Sequence, residues 1–276
     1  GSAIQSSDDE VLKNIKRDNI SLDTYQDFLD FNKRLDKDAV TYTEVILGLP
    51  CDSKEKHLAS LRYGIESGVD TVRAYQAILL PGTEMAEETT RKEFELLTRV
   101  RILPGAIGVY SFGLDQVSVG EMEEIIVGNR AMSLEDYLSC REMNLIVEMF
   151  INNSLFEEFF EVIKEMVLAT FDMLLYLHAH PETRPSTIAE IFESFRAATT
   201  DCLYTTRKEG EAAISLPEIM ERYQSGELGM NELLVHKGMI YLELRDALDL
   251  FVDAAIGFLR EQGRLEPWCE SYFKEL

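Results

Sequence analysis

The sequence has few basic residues for its length. Its 276 residues include 27 lysines and arginines against 50 aspartates and glutamates, which gives a formal net charge of −23 at pH 7. Binding to phosphate backbones or to anionic lipid depends on clustered Lys and Arg side chains. We therefore expect no nucleic-acid partner and no attraction to a membrane surface.

Cysteine is also scarce, and the four cysteines are far apart: Cys51, Cys140, Cys202 and Cys269. No CxxC, CxxxCxxC or Cys/His run occurs, so no local zinc or iron–sulfur motif is encoded. Four thiols in a chain of this length are not a disulfide scaffold. They are typical of a reducing compartment, so we expect a cytoplasmic protein whose cysteines are small buried apolar residues.

Long apolar runs are missing as well. The longest uncharged stretch, residues 102–114, is shorter than the ~18 residues that a membrane helix needs, and it contains Pro104 and three glycines. Residues 1–6 have neither the basic region nor the apolar core of a signal peptide. We therefore expect a soluble chain, and its abrupt start indicates a fragment of a longer protein.

The first hundred residues alternate between helix and strand signals. Capping residues, periodicity and Gly/Pro stops predict helices over residues 8–17, from Ser21 onward, over 54–67 and over 87–101, with strands over 41–50 and 70–80. Strand and helix pairs of about 30 residues are typical of βα units with a parallel sheet. The continuous apolar runs within the strands suit burial on both faces.

The pattern changes after residue 105. Glycines punctuate residues 106–132, which we interpret as a linker of strand and loop, and residues 133–276 are predicted to be a helical domain. Three pairs resemble an N-cap with an acidic residue three positions on: Ser133 with Asp136, Thr187 with Glu190, and Ser215 with Glu218. The last long helix carries an apolar stripe from Leu244 to Leu259 and is followed by Gly263.

Ligands of parallel α/β folds bind at the carboxyl ends of the strands. Three such ends are visible, at residues 3–7, 46–52 and 75–83. Their glycines allow close backbone approach, and Gln5, Ser6 and Gln76 offer hydrogen bonds to a neutral polar group. Each segment taken alone is better explained as an ordinary strand-ending turn.

Taken in order, these segments carry a resemblance. QS (residues 5–6) followed by DDEVLKNIKR (8–17), then EVILGLP (44–50), then YQ (75–76) before LPGT (80–83), resembles the later part of a radical S-adenosylmethionine (SAM) enzyme. The similarity covers roughly residues 2–103 and is to the last strands of the family's partial (β/α)6 barrel. It is closest to the branch that often carries an N-terminal cobalamin-binding domain.

The resemblance implies SAM-binding roles for seven residues. Gln5 and Ser6 match positions that approach the ribose and amino-acid part of SAM. A segment that packs against adenine is matched by Ile46, Gly48 and Leu49, and the end of the sixth strand is matched by Gln76 and Leu80. One departure falls at Cys51-Asp52, where the family usually has Gly-Glu, and Cys51 gives up some of the backbone freedom of glycine.

The resemblance also implies a 4Fe–4S cluster, SAM and, in this branch, cobalamin as cofactors of the whole enzyme. The family's three-cysteine motif follows the first strand, and the first three strands have no counterpart in this sequence. A lone Cys51 cannot reproduce CxxxCxxC spacing. We therefore expect residues 1–105 to be the C-terminal half of a barrel that binds no cofactor by itself, so that this chain is catalytically inert.

Candidates for contact with the substrate are Glu44, Arg73 and Tyr75. Arg73 lies within a strand, where it either grips an anionic substrate inside the barrel or forms an internal ion pair. We predict no metal site. His178 and His180 point apart on a helix, and Glu157, Glu158, Glu161 and Glu165 are better explained as a solvated stripe.

Two functions follow. The first is the C-terminal part of a radical SAM enzyme that methylates or otherwise modifies an organic substrate, with the missing barrel half and a small molecule as its partners. The alternative is a non-catalytic helical module for protein interaction or oligomerisation, attached to an α/β scaffold. Half a barrel leaves an open edge at residues 1–7, so we expect self-association through that edge or its coverage by the helical domain.

Overall fold

The chain folds as an α/β part followed by a mostly helical part, which confirms the predicted class at this level. The computed structural model describes residues 3–36 and 40–275, so the predicted domain limits at residues 1 and 276 lie outside the described residues. The first part contains α1 (Asp9–Asn14), α2 (Leu22–Leu35), β1 (Tyr42–Leu47), α3 (Lys54–Glu66), β2 (Thr71–Gln76), β3 (Ile78–Leu79), α4 (Glu88–Glu93), β4 (Leu97–Phe112) and β5 (Asp115–Gly128).

The second part is helical from residue 134 onward. Its helices are α5 (Leu134–Phe150), α6 (Glu157–Glu165), α7 (Thr170–Ala179), α8 (Ser186–Asp201), α9 (Arg207–Ile214), α10 (Pro217–Gln224), α11 (Glu232–Leu242), α12 (Leu244–Glu261) and α13 (Cys269–Glu275). No described helix is long and apolar enough to cross a membrane.

Predicted helix caps are confirmed in the α/β part and at the start of α5. The side chains of Ser21 and Ser53 accept hydrogen bonds from the backbone of the following first turns. Ser133 and Asp136 form a reciprocal capping box. Two predicted caps are wrong, because the hydroxyl of Thr187 instead donates to Asp246 and Ser215 lies at the C-terminal end of α9.

Strands β1 and β2 are parallel neighbours, and the segment around Gln5 adds a parallel bridge to Val45 on the other side of β1. Every second β1 side chain is buried, and Val45 packs in the main core with Leu61 of α3 and Val72 of β2. The opposite face of this small sheet is open. The described residues thus contain three parallel segments in the predicted order.

The outer edge of the first segment is covered by the connection between α1 and α2. The Asn19 side-chain amide donates to the backbone oxygens of Ile4 and Ser6, at 2.8 and 2.9 Å, and Arg17 donates to Ala3. These donors do not come from the helical part. The prediction that the helical domain covers this edge is therefore wrong. Self-association stays a prediction.

The predicted strand over residues 70–80 divides at Ala77 between two sheets. The Ala77 N–H donates to the Leu47 oxygen at 2.9 Å, whereas its carbonyl accepts from the Ile126 N–H at 2.9 Å. Beyond this residue, β3 pairs antiparallel with β5. Ala77 therefore joins the parallel sheet to the second sheet.

The predicted helix over residues 87–101 ends at Glu93, and the rest of that prediction is wrong. Glu95 has a φ of +51°, after which β4 runs antiparallel to β5 as a long hairpin. The cause is a pairing between distant residues, reinforced by the Arg91–Glu124 ion pair at 2.5 Å. Residues 106–128, which we interpreted as linker, belong to this hairpin.

One large apolar core connects the two parts. It includes side chains of β1, β2 and α3 as well as most of the buried residues of α5, α6, α7 and α12. Phe251 lies at its centre, with ring centroids 4.9 Å from Phe150 and 4.7 Å from Phe156. Cys51, Cys140 and Cys269 are buried and free, as predicted, whereas Cys202 is only half-buried.

Replacing Phe251 by Ala should lower the free energy of unfolding by about 3–5 kcal/mol, because the cavity left among fixed aromatic rings cannot collapse fully. Urea denaturation followed by circular dichroism measures this loss. Phe112→Ala, at the exposed end of β4, is the matched control and should cost less than about 0.5 kcal/mol. Equal costs for the two variants would contradict this description of the core.

Candidate functional site

A cavity of about 1330 Å³ lies where the parallel strands end, between the hairpin and the helical part. Its strand wall comes from β1, β2 and the residues that follow them, and its helical wall comes from α5, α8 and α11. The volume exceeds the ~300–1,000 Å³ that is usual for small-molecule pockets. The location is the carboxyl end of a parallel sheet, where ligands of α/β folds bind.

Seven of the residues singled out in the sequence line this cavity. They are the SAM candidates Gln5, Ile46, Leu49, Gln76 and Leu80 and the substrate candidates Arg73 and Tyr75. They come from three segments that are distant in sequence, and the parallel pairing brings these segments side by side. The wall combines carboxamide groups with apolar side chains.

The other three candidates lie elsewhere. Ser6 is buried against α3, where its hydroxyl is 3.4 Å from that of Ser60 and accepts from the Asp8 N–H. Gly48 lies under β5, and its φ of +88° is in the region that favours glycine. Glu44 lies on the open face of the parallel sheet, beside Arg73.

Two roles were predicted for Arg73, namely contact with an anionic substrate and an internal ion pair. Its guanidinium is 4.0 Å from the Glu44 carboxylate and 4.1 Å from the centre of the Tyr42 ring. Its side chain is 48% exposed, so the ion pair is weak and is not internal. The guanidinium is available at the edge of the cavity.

The helical wall holds a buried ion pair that the sequence analysis missed. Arg141 of α5 donates from Nη2 to the Glu232 carboxylate of α11 at 2.7 Å. The Arg141 side chain is only 4% exposed, and its guanidinium lies 5.5 Å from the ring of Phe195. Both charged residues line the cavity.

Gln76 connects the two walls. Its side-chain nitrogen donates to the Tyr137 hydroxyl at 2.8 Å and lies 3.4 Å from Glu232, while its oxygen accepts from Arg101 at 2.5 Å. Burial raises the pKa of Tyr137 to about 12, so this phenol stays protonated at neutral pH. Both ends of the Gln76 amide are therefore held by protein groups.

A second buried polar pair lies between α3 and α5. The Nε2 atom of His57 is 2.9 Å from the Asn144 side-chain oxygen, and burial lowers the pKa of His57 to about 4. The imidazole is thus neutral at pH 7, and its hydrogen bond to Asn144 links α3 to α5. It does not line the cavity.

The loop that follows β1 contains the departure from the family pattern. Cys51 has a φ of +64°, a conformation in which glycine is unstrained, and its sulfur is 3.0 Å from Nη2 of Arg130. The Asp52 carboxylate accepts from the Gly48 N–H at 3.1 Å, and burial raises the pKa of Asp52 to about 7. This loop holds Leu49 at the cavity wall.

The described residues contain no group of three or more metal-ligating side chains. His178 lies 3.1 Å from the Ser139 carbonyl oxygen and His180 lies 2.8 Å from that of Tyr176, so the two rings have separate backbone partners. The four glutamates of α6 are exposed, namely Glu157, Glu158, Glu161 and Glu165.

A sequence signal for the helical wall was nevertheless present. Tyr137, Arg141, Asn144 and Glu148 recur at helical spacing within α5, a helix whose other residues are mostly apolar and buried. A polar stripe inside a buried helix indicates a polar neighbour. It does not identify that neighbour, because Glu232 lies 91 residues further along the chain.

A comparison of this chain with protein-family models and with curated proteins gives no match. The functional argument therefore rests on the residues themselves and on the geometry of the cavity.

The substitution Asp52→Asn should remove a pH dependence from the free energy of unfolding. An acid whose folded pKa of about 7 exceeds its unfolded value stabilises the fold most below pH 4, and this contribution is lost as the pH rises from about 4 to 7. The unfolding free energy of the Asn variant, relative to the natural chain, should therefore increase over this range by on the order of 3 kcal/mol.

Denaturant titrations at pH 4, 5.5, 7 and 8 would measure this difference. Asp253→Asn, at an exposed position of α12, is the control for the loss of one carboxylate. A flat difference for Asp52→Asn would show that folding does not raise the pKa of Asp52.

Proposed function

We propose that this chain is the C-terminal part of a radical SAM enzyme, in which it supplies the adenosine-side wall of the SAM site and the substrate cavity. One observation carries the proposal. Five of the seven residues matched to SAM-binding positions line one side of the same cavity, although they come from three separate segments. Because the ends of neighbouring parallel strands always meet at one edge of a sheet, the support comes from these particular side chains lining the cavity.

The sheet geometry supports a partial barrel. The segment around Gln5, β1 and β2 are parallel and adjacent in sequence order, with α3 packed on one face. The other face carries Tyr42, Glu44 and Arg73 and is open. An open polar face is expected for strands whose inner side faces a shared barrel interior.

The wall suits adenosine by its chemistry. Ile46, Leu49 and Leu80 offer apolar surface for a purine ring, and the Gln5 carboxamide supplies a donor and an acceptor for a ribose or a purine edge. Gln76 is already held by Tyr137 and Arg101, so its orientation is fixed before a ligand binds. This chain's part is to bind and orient SAM and the substrate.

The residues do not fit the iron–sulfur cluster of the family. Three of the four cysteines are buried at separate places, and no described group of three ligands exists. We therefore derive no reaction step through a cluster or cobalamin from this chain. On this proposal the cluster would be held by the other half of the barrel, which is the partner of this chain. Four free cysteines suit a reducing compartment, so we also propose a cytoplasmic location.

Anaerobic reconstitution with iron and sulfide tests the proposal. The present chain should gain no cluster and cleave no SAM, whereas the complete polypeptide, with a CxxxCxxC motif upstream of residue 1, should do both. In that polypeptide, Ile46→Gln should raise the KM for SAM about tenfold, because apolar contact with the purine is lost. Leu35→Gln, at an exposed position of α2, is the control.

The proposal fails if the upstream sequence has no cluster motif, or if the complete polypeptide leaves SAM intact. SAM cleavage by the present chain alone would contradict its inertness.

One observation favours the alternative, a protein-interaction module. The end of the β4–β5 hairpin carries exposed apolar side chains, namely Val109, Tyr110, Phe112, Leu114, Val117 and Val119. Exposed apolar patches of this kind often mark protein contacts. Light scattering after gel filtration tests this function, because an assembly that dissociates in the double variant Phe112→Ser, Leu114→Ser would support it. A monomer in both cases would argue against it.

A further inference from the structure

We propose that the helical wall of the cavity binds the carboxylate of an apolar organic ligand, with Arg141 as its anchor and Glu232 as the group that the ligand replaces. This goes beyond the SAM-binding role proposed for the strand wall and does not depend on it. The inference rests on an unusual arginine, on the carboxylate beside it and on the apolar surface around them.

Arg141 uses few of its hydrogen-bond donors. A guanidinium carries five N–H groups, and buried ones normally find partners. The Arg141 side chain is nine-tenths buried and lines the cavity, yet its Nε has no hydrogen-bond partner among the described residues. The one hydrogen bond described for its side chain goes from Nη2 to Glu232. An anion that displaced Glu232 and reached both Nη2 and Nε, which is now shielded from solvent, would satisfy this guanidinium in the bidentate manner that carboxylates prefer.

Glu232 is the internal substitute for such an anion. It is the first residue of α11, its side chain is 16% exposed, and the same oxygen that accepts from Arg141 lies 3.4 Å from Gln76. The segment before α11 contains two positive-φ turn residues, Gly226 and Gly229. A carboxylate from a ligand would take over both contacts, and Glu232 would face the open cavity.

The surroundings select an apolar ligand body. Met230, just before α11, and Leu234, Val235 and Met239 of α11 line the cavity, and all four are exposed. The lining holds three other carboxylates: Glu148 is paired with Lys237 at 2.5 Å, Glu227 is paired with Arg222 at 2.7 Å, and Asp201 is exposed at the end of α8. The negative charge nearest the anchor is therefore Glu232 itself, and removing it would leave Arg141 free to bind an anion.

Titration with 4-phenylbutanoate and its neutral amide, 4-phenylbutanamide, tests the inference by calorimetry. The natural chain should bind the carboxylate at least about tenfold more tightly than the amide, since a charge-assisted pair adds more than about 1.4 kcal/mol. Glu232→Gln should strengthen carboxylate binding further, by roughly tenfold, because the competing internal anion is gone. A purely structural Arg141 would not respond in this way.

The double variant Arg141→Gln, Glu232→Gln removes both charges and leaves no uncompensated buried ion. It should bind both probes equally, with a thermal melt establishing that it is folded. Glu148→Gln with Lys237→Gln, a half-buried ion pair whose glutamate also lines the cavity, is the matched control and should keep the preference for the carboxylate. The inference is overturned if the natural chain binds both probes equally or binds neither at about 20 mM. It is equally overturned if Glu232→Gln leaves the carboxylate affinity unchanged.

Discussion

The structure depends on the two backbone hydrogen bonds of Ala77, one to each sheet. Its N–H completes the parallel pairing with Leu47, and its carbonyl begins the pairing with Ile126. Because a backbone polar group in a buried position must be paired, this residue fixes where the parallel sheet ends and how the hairpin is placed beside it. Gln76, the residue before it, is thereby held at the junction of strand, hairpin and helix.

The cavity follows from this junction. The strand ends form one wall, the hairpin diverges from them, and the helical part closes the remaining side through a core that is continuous with α3. The Gln76 amide donates to the Tyr137 hydroxyl on the helical side. The Arg141–Glu232 pair lies next to this contact. A single polar network therefore links the wall proposed for adenosine with the wall proposed for a carboxylate.

Much of the α/β part and of the strand wall could be predicted from local signals in the sequence. Serine caps before α2, α3 and α5, glycine and proline stops and apolar strand runs are properties of neighbouring residues, so they can be read from one sequence. The hairpin could not be predicted in this way, because residues 97–101 form a strand only by pairing with β5. The same holds for Thr187, whose hydroxyl is taken by a distant aspartate, and for Arg141, whose partner is on another helix.

The central claim is that the three parallel strand ends form one side of a SAM site. Hydrogen–deuterium exchange of the longer enzyme to which we propose this chain belongs, with and without S-adenosylmethionine, measures this most directly. The account predicts slower exchange on ligand binding in residues 46–49 and 76–80 together, with no change in the exposed end of the β4–β5 hairpin. Protection that is absent from both segments, while SAM is demonstrably bound, would contradict it.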